Sequence, residues 1–190
     1  MIGQITELYE KRLLIPDQKP KHQFILCPVG LVGAGKTTVV KPSSEKLSLL
    51  RISGDEIRRL LRENGHGYEQ VQEIATVLVK KYLDLGYSIC SDNDCVTQKT
   101  QDIMSDHVKN YGLKLVWIHI NPPEEFILHK LNSHQGGWFG NEALIKNYYE
   151  RKHLHANLIF PFVYTFDTSK RNLDQQIDEA AGIIKQFTNN

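Results

Sequence analysis

Residues 30–37 read Gly-Leu-Val-Gly-Ala-Gly-Lys-Thr, directly after the apolar run Phe-Ile-Leu-Cys-Pro-Val. Few eight-residue patterns constrain a chain so narrowly. The stretch satisfies G-x-x-x-x-G-K-[ST], in which glycines let successive backbone N–H groups turn inward around phosphate oxygens. A strand must deliver such a loop and a helix must follow it, so that the positive end of the helix dipole meets the same anion. Gly30, Val32, Gly33, Ala34, Gly35, Lys36, Thr37 and Thr38 form the candidate nucleotide-phosphate site. Within it Lys36 is expected to reach the terminal phosphates and Thr37 to ligate Mg²⁺. Pro42 falls inside the following helix and is expected to remove one intrahelical bond and bend it.

The remainder of the chain reads as the scaffold that this loop needs. Apolar strand patterns near 23–29, 49–53, 87–91, 113–120 and 162–166 alternate with helical ones, which predicts an α/β fold with a parallel sheet and helices on both faces. Val71, Ile74, Ala75, Leu78, Tyr82 and Leu85 form one apolar stripe, and Gly86 terminates it as a C-cap. A second stripe, Leu173, Ile177, Ala181, Ile184 and Phe187, closes the fold. Ile5, Leu8, Tyr9 and Leu13 recur at helical spacing over residues 2–14 before Pro16 and Pro20. The expected organisation is a helical extension over 1–20 ahead of a main domain over 21–190. A Gly-rich polar interruption at 132–143 marks a lid, over about 132–150.

Composition narrows the partners. A chain of 190 residues with 41% apolar and 24% charged content can bury one ordinary core. With 23 Lys plus Arg against 22 Asp plus Glu, no global field draws it to nucleic acid or an anionic membrane, so anion binding has to be local. Cys27, Cys90 and Cys95 show neither zinc spacing nor a secreted disulfide framework, which suggests a reduced, cytoplasmic setting. No segment approaches the roughly 18 consecutive apolar residues of a membrane span, and no membrane partner is expected.

Carboxylates recur where strands end. Asp55 follows the second strand, at the sheet edge where ligands of open α/β sheets bind. It could accept a proton from an attacking hydroxyl, or simply cap the helix that begins there. Arg58 and Arg62, each one turn further on, can present charge to a phosphate or an anionic substrate. Asp92 and Asp94 follow the third strand. Either they form a turn, or Asp92 is a metal partner for the phosphate loop with Asp94 nearer the substrate. His119 reads as a hydrogen-bonded core histidine and His134 as a loop residue, while Trp138 and Phe139 could either fold over a ligand or pack the lid.

Taken together, Gly-Leu-Val-Gly-Ala-Gly-Lys-Thr-Thr, Ser-Gly-Asp-Glu-Ile-Arg-Arg, Ser-Asp-Asn-Asp, Pro-Pro-Glu-Glu-Phe-Ile-Leu-His-Lys-Leu-Asn-Ser and Phe-Asp-Thr-Ser resemble the small P-loop kinases of the polynucleotide-kinase and zeta-toxin type. The resemblance runs from about residue 23 to 187. It implies a P-loop NTPase three-layer sandwich with five parallel strands in the order 2-3-1-4-5, and transfer of the ATP γ-phosphate to a hydroxyl. It further implies Asp55 as general base, Arg58 at the acceptor, Asp92 near the metal, and the turn containing Ser169 beside the adenine. The family's lid arginines are replaced here by His-Lys-Leu-Asn-Ser-His-Gln-Gly-Gly. Lys130, His129 and His134 are the basic groups available there, and Arg151 or Lys152 could swing in from the next helix.

The leading expectation is therefore an ATP- and Mg²⁺-dependent phosphotransferase acting on a small metabolite, a nucleotide-sugar or a nucleic-acid end. The missing lid arginines motivate a different reading, a nucleotide-binding module with little or no transfer. A polynucleotide 5′-kinase is a further alternative, and the near-neutral charge argues weakly against it.

Overall fold

The computed structural model describes residues 2–133 and 140–189. Within it β1 (Phe24–Val29) is buried along its whole length, as a strand flanked on both edges and covered on both faces must be. It pairs in parallel with β3 (Ile89–Asp92) and with β4 (Lys114–Ile120). The edge strands β2 (Leu50–Ser53) and β5 (Phe162–Phe166) complete the order β2-β3-β1-β4-β5. The fold is the P-loop NTPase sandwich, with the strand order the resemblance implies.

Alternation along β1 builds two cores. Ile25, Cys27 and Val29 face a layer made by α1 (Ile2–Glu10), α3 (Gly54–Glu63), α4 (Val71–Asp84) and α5 (Gln98–Tyr111). Phe24 and Leu26 face the other layer, made by α2 (Lys36–Lys46), α6 (Glu124–Asn132), α7 (Asn141–Lys152) and α8 (Leu173–Asn189). No helix among the described residues is long and apolar enough to cross a membrane.

The helical stripes differ from expectation at their ends. Val79 and Leu83 join the buried face of α4, while Leu85 lies beyond the helix and is half exposed. Gly86, at φ +84°, lets Tyr87 N–H close back on the Tyr82 carbonyl at 2.9 Å, the left-handed C-terminal closure that only glycine adopts without strain. In α8 Ala180 is buried, whereas Phe187 lies at the surface beneath the Lys114 ammonium. α2 runs through Pro42 to Lys46, with the proline inside the helix as expected.

The helix α1 ends at Glu10, short of the expected residue 14. Ile5 and Tyr9 are fully buried in the first core, and Tyr82 Oη donates to Glu10 Oε1 at 2.9 Å. Lys81 Nζ reaches the same oxygen at 2.5 Å. Tyr9 Oη accepts from the backbone N–H of Ser53 at 2.8 Å, at the end of β2. Burial drives the Tyr9 pKa up, so the hydroxyl stays protonated and neutral in that contact.

Candidate active site

The site begins where two central strands part. The β1–β3 ladder covers only Ile25↔Ile89 and Leu26↔Cys90. Pro28 has no N–H to donate, and its carbonyl accepts from Cys95 N–H in the segment after β3 at 3.3 Å. Residues 92–94 are thereby delivered beside the loop that leaves β1. Asp94 Oδ1 lies 3.5 Å from the backbone nitrogen of Gly30.

Sterics demand glycine at both ends of the loop. A Cβ on Gly30 would approach the Ile120 carbonyl oxygen to 2.7 Å, because β4 passes directly behind the loop. Gly35 sits at φ +92°, the left-handed step by which the loop enters α2. Lys36 Nζ turns back over the loop, donating to the Gly30 carbonyl at 2.5 Å and the Leu31 carbonyl at 3.1 Å. Burial lowers the Lys36 pKa, opposed by the nearby charges of Asp94, Asp55 and Asp92.

These groups border one cavity of about 620 Å³. Val32, Lys36 and Thr37 line its phosphate-loop side, with Asp55, Arg58, Asp92 and Asp94 around them. Arg58 Nη1 donates to Asp55 Oδ1 at 2.7 Å, and the Asp55 side chain is 77% exposed. Asp55 thus stands open to an incoming ligand. The N-cap position of α3 belongs to Ser53, without a side-chain cap, and Asp55 lies in the first turn.

Asp92 is the more enclosed carboxylate. Its side chain is 6% exposed, and Oδ2 accepts from Arg51 Nη1 at 2.5 Å; the same guanidinium also binds Glu56. Burial raises the Asp92 pKa, with Arg51 pulling against it. Arg51 was not among the sequence candidates. The signal was present, since an arginine inside the apolar strand Leu-Arg-Ile-Ser must find an anion once buried.

Asp94 gathers the other half of the site. Arg151 Nη2 of α7 and His155 Nε2 of the short turn His153–His155 lie 3.0 Å and 3.1 Å from Asp94 Oδ2. Burial disfavours its charge, but His155, Lys36 and Arg151 outweigh that and hold its pKa below the usual carboxylate value. Arg151 therefore lines the cavity, whereas Lys152 turns away to Glu124 at 2.6 Å.

Other sequence candidates lie elsewhere. Lys130 is on the exposed side of α6, its ammonium 5.7 Å from the Phe126 ring centre, and it does not line the cavity. Arg62 is exposed on α3 and is also absent from the lining. Ser169 is exposed, its N–H and hydroxyl both bound to Asp167. Its neighbour Thr168 instead makes the link to the phosphate loop, donating to the Ala34 carbonyl at 2.7 Å. Thr38 is exposed in the first turn of α2. His119 stacks on Phe162 at 4.6 Å in place of the expected hydrogen bond. His134, Trp138 and Phe139 lie outside the described residues.

The donor set fits Mg²⁺ bound together with phosphates. No cluster of three or more metal-ligating side chains occurs among the described residues. A hydroxyl at Thr37 and a carboxylate at Asp92 border the same cavity, as expected for a cation that usually takes one or two carboxylates plus substrate oxygens.

Comparison with known proteins agrees with this architecture. A family model described as an AAA domain matches residues 25–136. The chain is similar in structure to the Mycobacterium tuberculosis APS kinase solved with AMPPNP and APS, at TM-score 0.58 and 13% identity, covering 87% of this chain and 99% of that one. A sugar kinase from Janibacter sp. gives TM-score 0.58 and 14% identity, over 85% and 94% of the two chains. A gluconokinase from Sinorhizobium meliloti gives 0.57 and 12%, over 90% and 96%. No curated protein matches the chain significantly.

Proposed function

The chain belongs to the AAA domain family, and from that premise we propose that it is a phosphotransferase moving the γ-phosphoryl group of ATP to a hydroxyl acceptor. One observation carries the reading. A phosphate loop, an exposed strand-end carboxylate and an arginine from beyond the lid segment all line a single cavity. Three similar structures are those of kinases.

The roles follow from position and charge. Lys36 leaves its loop carbonyls for the β and γ phosphates. Asp55 accepts the proton of the acceptor hydroxyl as that oxygen bonds to the γ-phosphorus and the bond from that phosphorus to the ADP oxygen breaks. Arg58 orients the acceptor beside Asp55, and Arg151 supplies the arginine that α6 lacks. Thr37 and Asp92 would hold Mg²⁺ together with the phosphates, and the ion would supply neutralising charge for the transferring group. Catalysis on this scheme is positioning and electrostatic stabilisation. Residues 21–190 make up the kinase domain, and α1 braces the β2 edge beside Asp92.

The test is transfer from γ-labelled ATP with Mg²⁺, comparing wild type with Lys36→Ala and Asp55→Asn. Asp55→Asn should hold ATP affinity within about threefold while transfer falls about 10²–10⁴-fold, the range for a positioned general base. Lys36→Ala should lose both binding and transfer. ATP binding without transfer to any hydroxyl compound would point instead to a nucleotide-binding module.

A further inference from the structure

The wall of the cavity contributed by α4 and α5 differs in character from its phosphate-loop side. Gln72 and Thr76 of α4, with Thr100 and His107 of α5, present amide, hydroxyl and imidazole groups. Ala75, Val79 and Met104 supply an apolar surface between them. Among the cavity residues from these two helices there is no Lys, Arg, Asp or Glu.

The cations of the cavity are already engaged. Its lining holds only Lys36, Arg58 and Arg151 among the described residues. Arg58 is on Asp55 and Arg151 on Asp94, and Lys36 belongs to the nucleotide phosphates. Residues 134–139, His-Gln-Gly-Gly-Trp-Phe, contain neither lysine nor arginine. An acceptor bearing its own phosphate, sulfate or carboxylate finds no cation on this wall and would have to share a guanidinium that a carboxylate already holds.

His107 stands apart from its neighbours. It is buried, at 8% exposure, and its Nε2 is closed off from solvent with no hydrogen-bond partner. Burial lowers its pKa, with Asp106 opposing and Lys80 reinforcing the shift. A neutral imidazole bordering a cavity with one nitrogen unsatisfied offers a single directional contact, and a ligand hydroxyl that turns the ring to meet it removes a standing penalty.

Resting on the kinase reading above, we propose that the acceptor is an uncharged polyhydroxylated ring compound, a free sugar or a nucleoside, held between α4 and α5 with His107 as a specificity-determining contact. Hydroxyls meet Gln72, Thr76, Thr100 and His107, and a ring face lies on Val79 and Met104.

Two readouts on one panel test this. Glucose, ribose, adenosine and uridine are compared with glucose 6-phosphate, gluconate, adenosine and uridine monophosphates and a 5′-hydroxyl oligonucleotide. Calorimetric binding is measured with a non-hydrolysable ATP analogue, and transfer with γ-labelled ATP and Mg²⁺. At least one neutral compound should bind and be phosphorylated, with its anionic counterpart at least about tenfold poorer, the scale of one unneutralised charge or unpaired polar group. Phosphorylation confined to anionic compounds overturns this inference and leaves the kinase reading standing. Binding of a neutral compound without transfer to any acceptor overturns the kinase reading and leaves the pocket assignment. Failure of every neutral compound to bind overturns the inference. His107→Leu should raise the acceptor KM about tenfold with kcat within about threefold, and His107→Gln should restore most of it. An unchanged acceptor KM in His107→Leu, or an equal loss in both variants with a raised ATP KM, removes His107 from specificity.

Discussion

Arg151 in the last turn of α7 lies 3.0 Å from Asp94 in the segment after β3, 57 residues apart in sequence. The contact brings a guanidinium into the cavity from α7, although α6 carries no arginine. His155 joins the same carboxylate, so the end of α7 and the turn after it are fixed to the site at two points.

If Arg151 supplies transition-state charge, Arg151→Ala should lower kcat about 10²–10³-fold, the range seen for loss of one preorganised donor. The ATP KM should move by no more than a few-fold. Steady-state kinetics checks this, and a kcat equal to wild type would remove Arg151 from the mechanism.

Arg51 and Asp92 form an enclosed pair, with side chains 17% and 6% exposed. Arg51→Met leaves the Asp92 carboxylate buried without its partner, and stability should fall by about 3–5 kcal/mol. Adding Asp92→Asn to that variant should recover part of the loss in a urea titration. A double variant no more stable than Arg51→Met would show that the pair is not what Arg51 contributes.

Glu10 ties α1 to α4 through Lys81 and Tyr82, and the Lys81 hydrogen bond holds its pKa below the ordinary 4.5. A carboxylate depressed in the folded state stabilises above its unfolded pKa, and that contribution is lost as pH falls through the depressed value. Wild type should therefore exceed Glu10→Gln by about 0.5–1 kcal/mol near neutrality, allowing for the half-exposed lysine. The gap should close below pH 4.5. Denaturant titrations from pH 7 to pH 3 measure it, and a gap independent of pH would contradict the assignment.

Thr168 bonds the Ala34 carbonyl and packs against Gly35. Thr168→Val keeps the shape and removes the donor. It should weaken ATP binding about two- to tenfold, the equivalent of one hydrogen bond of about 0.5–1.5 kcal/mol. Calorimetric titration with ATP reads it directly, and unchanged affinity would mean that the phosphate loop holds its form without that link.

The fold was written in local pattern. Five apolar strand runs, the helical stripes and the terminating Gly86 are short-range signals, because strand and helix periodicity is set by backbone geometry. The phosphate loop was equally legible, since only glycine tolerates φ +92° at residue 35 and the close approach of β4 at residue 30. Asp55, Asp92 and Asp94 were readable as strand-end carboxylates for the same reason.

What spacing could not supply was partnership across the sheet. That Arg51 meets Asp92, that Thr168 and not Ser169 touches the loop, and that Lys130 points away from the cavity all depend on how separate elements pack. A side chain's direction one or two residues past the end of an element follows from crossover packing, not from periodicity. The sequence by itself determined the sheet, the phosphate loop and the identity of the charged residues. Only the tertiary structure decided which charges neutralise one another, because Coulombic pairing depends on distances that the chain sets by folding.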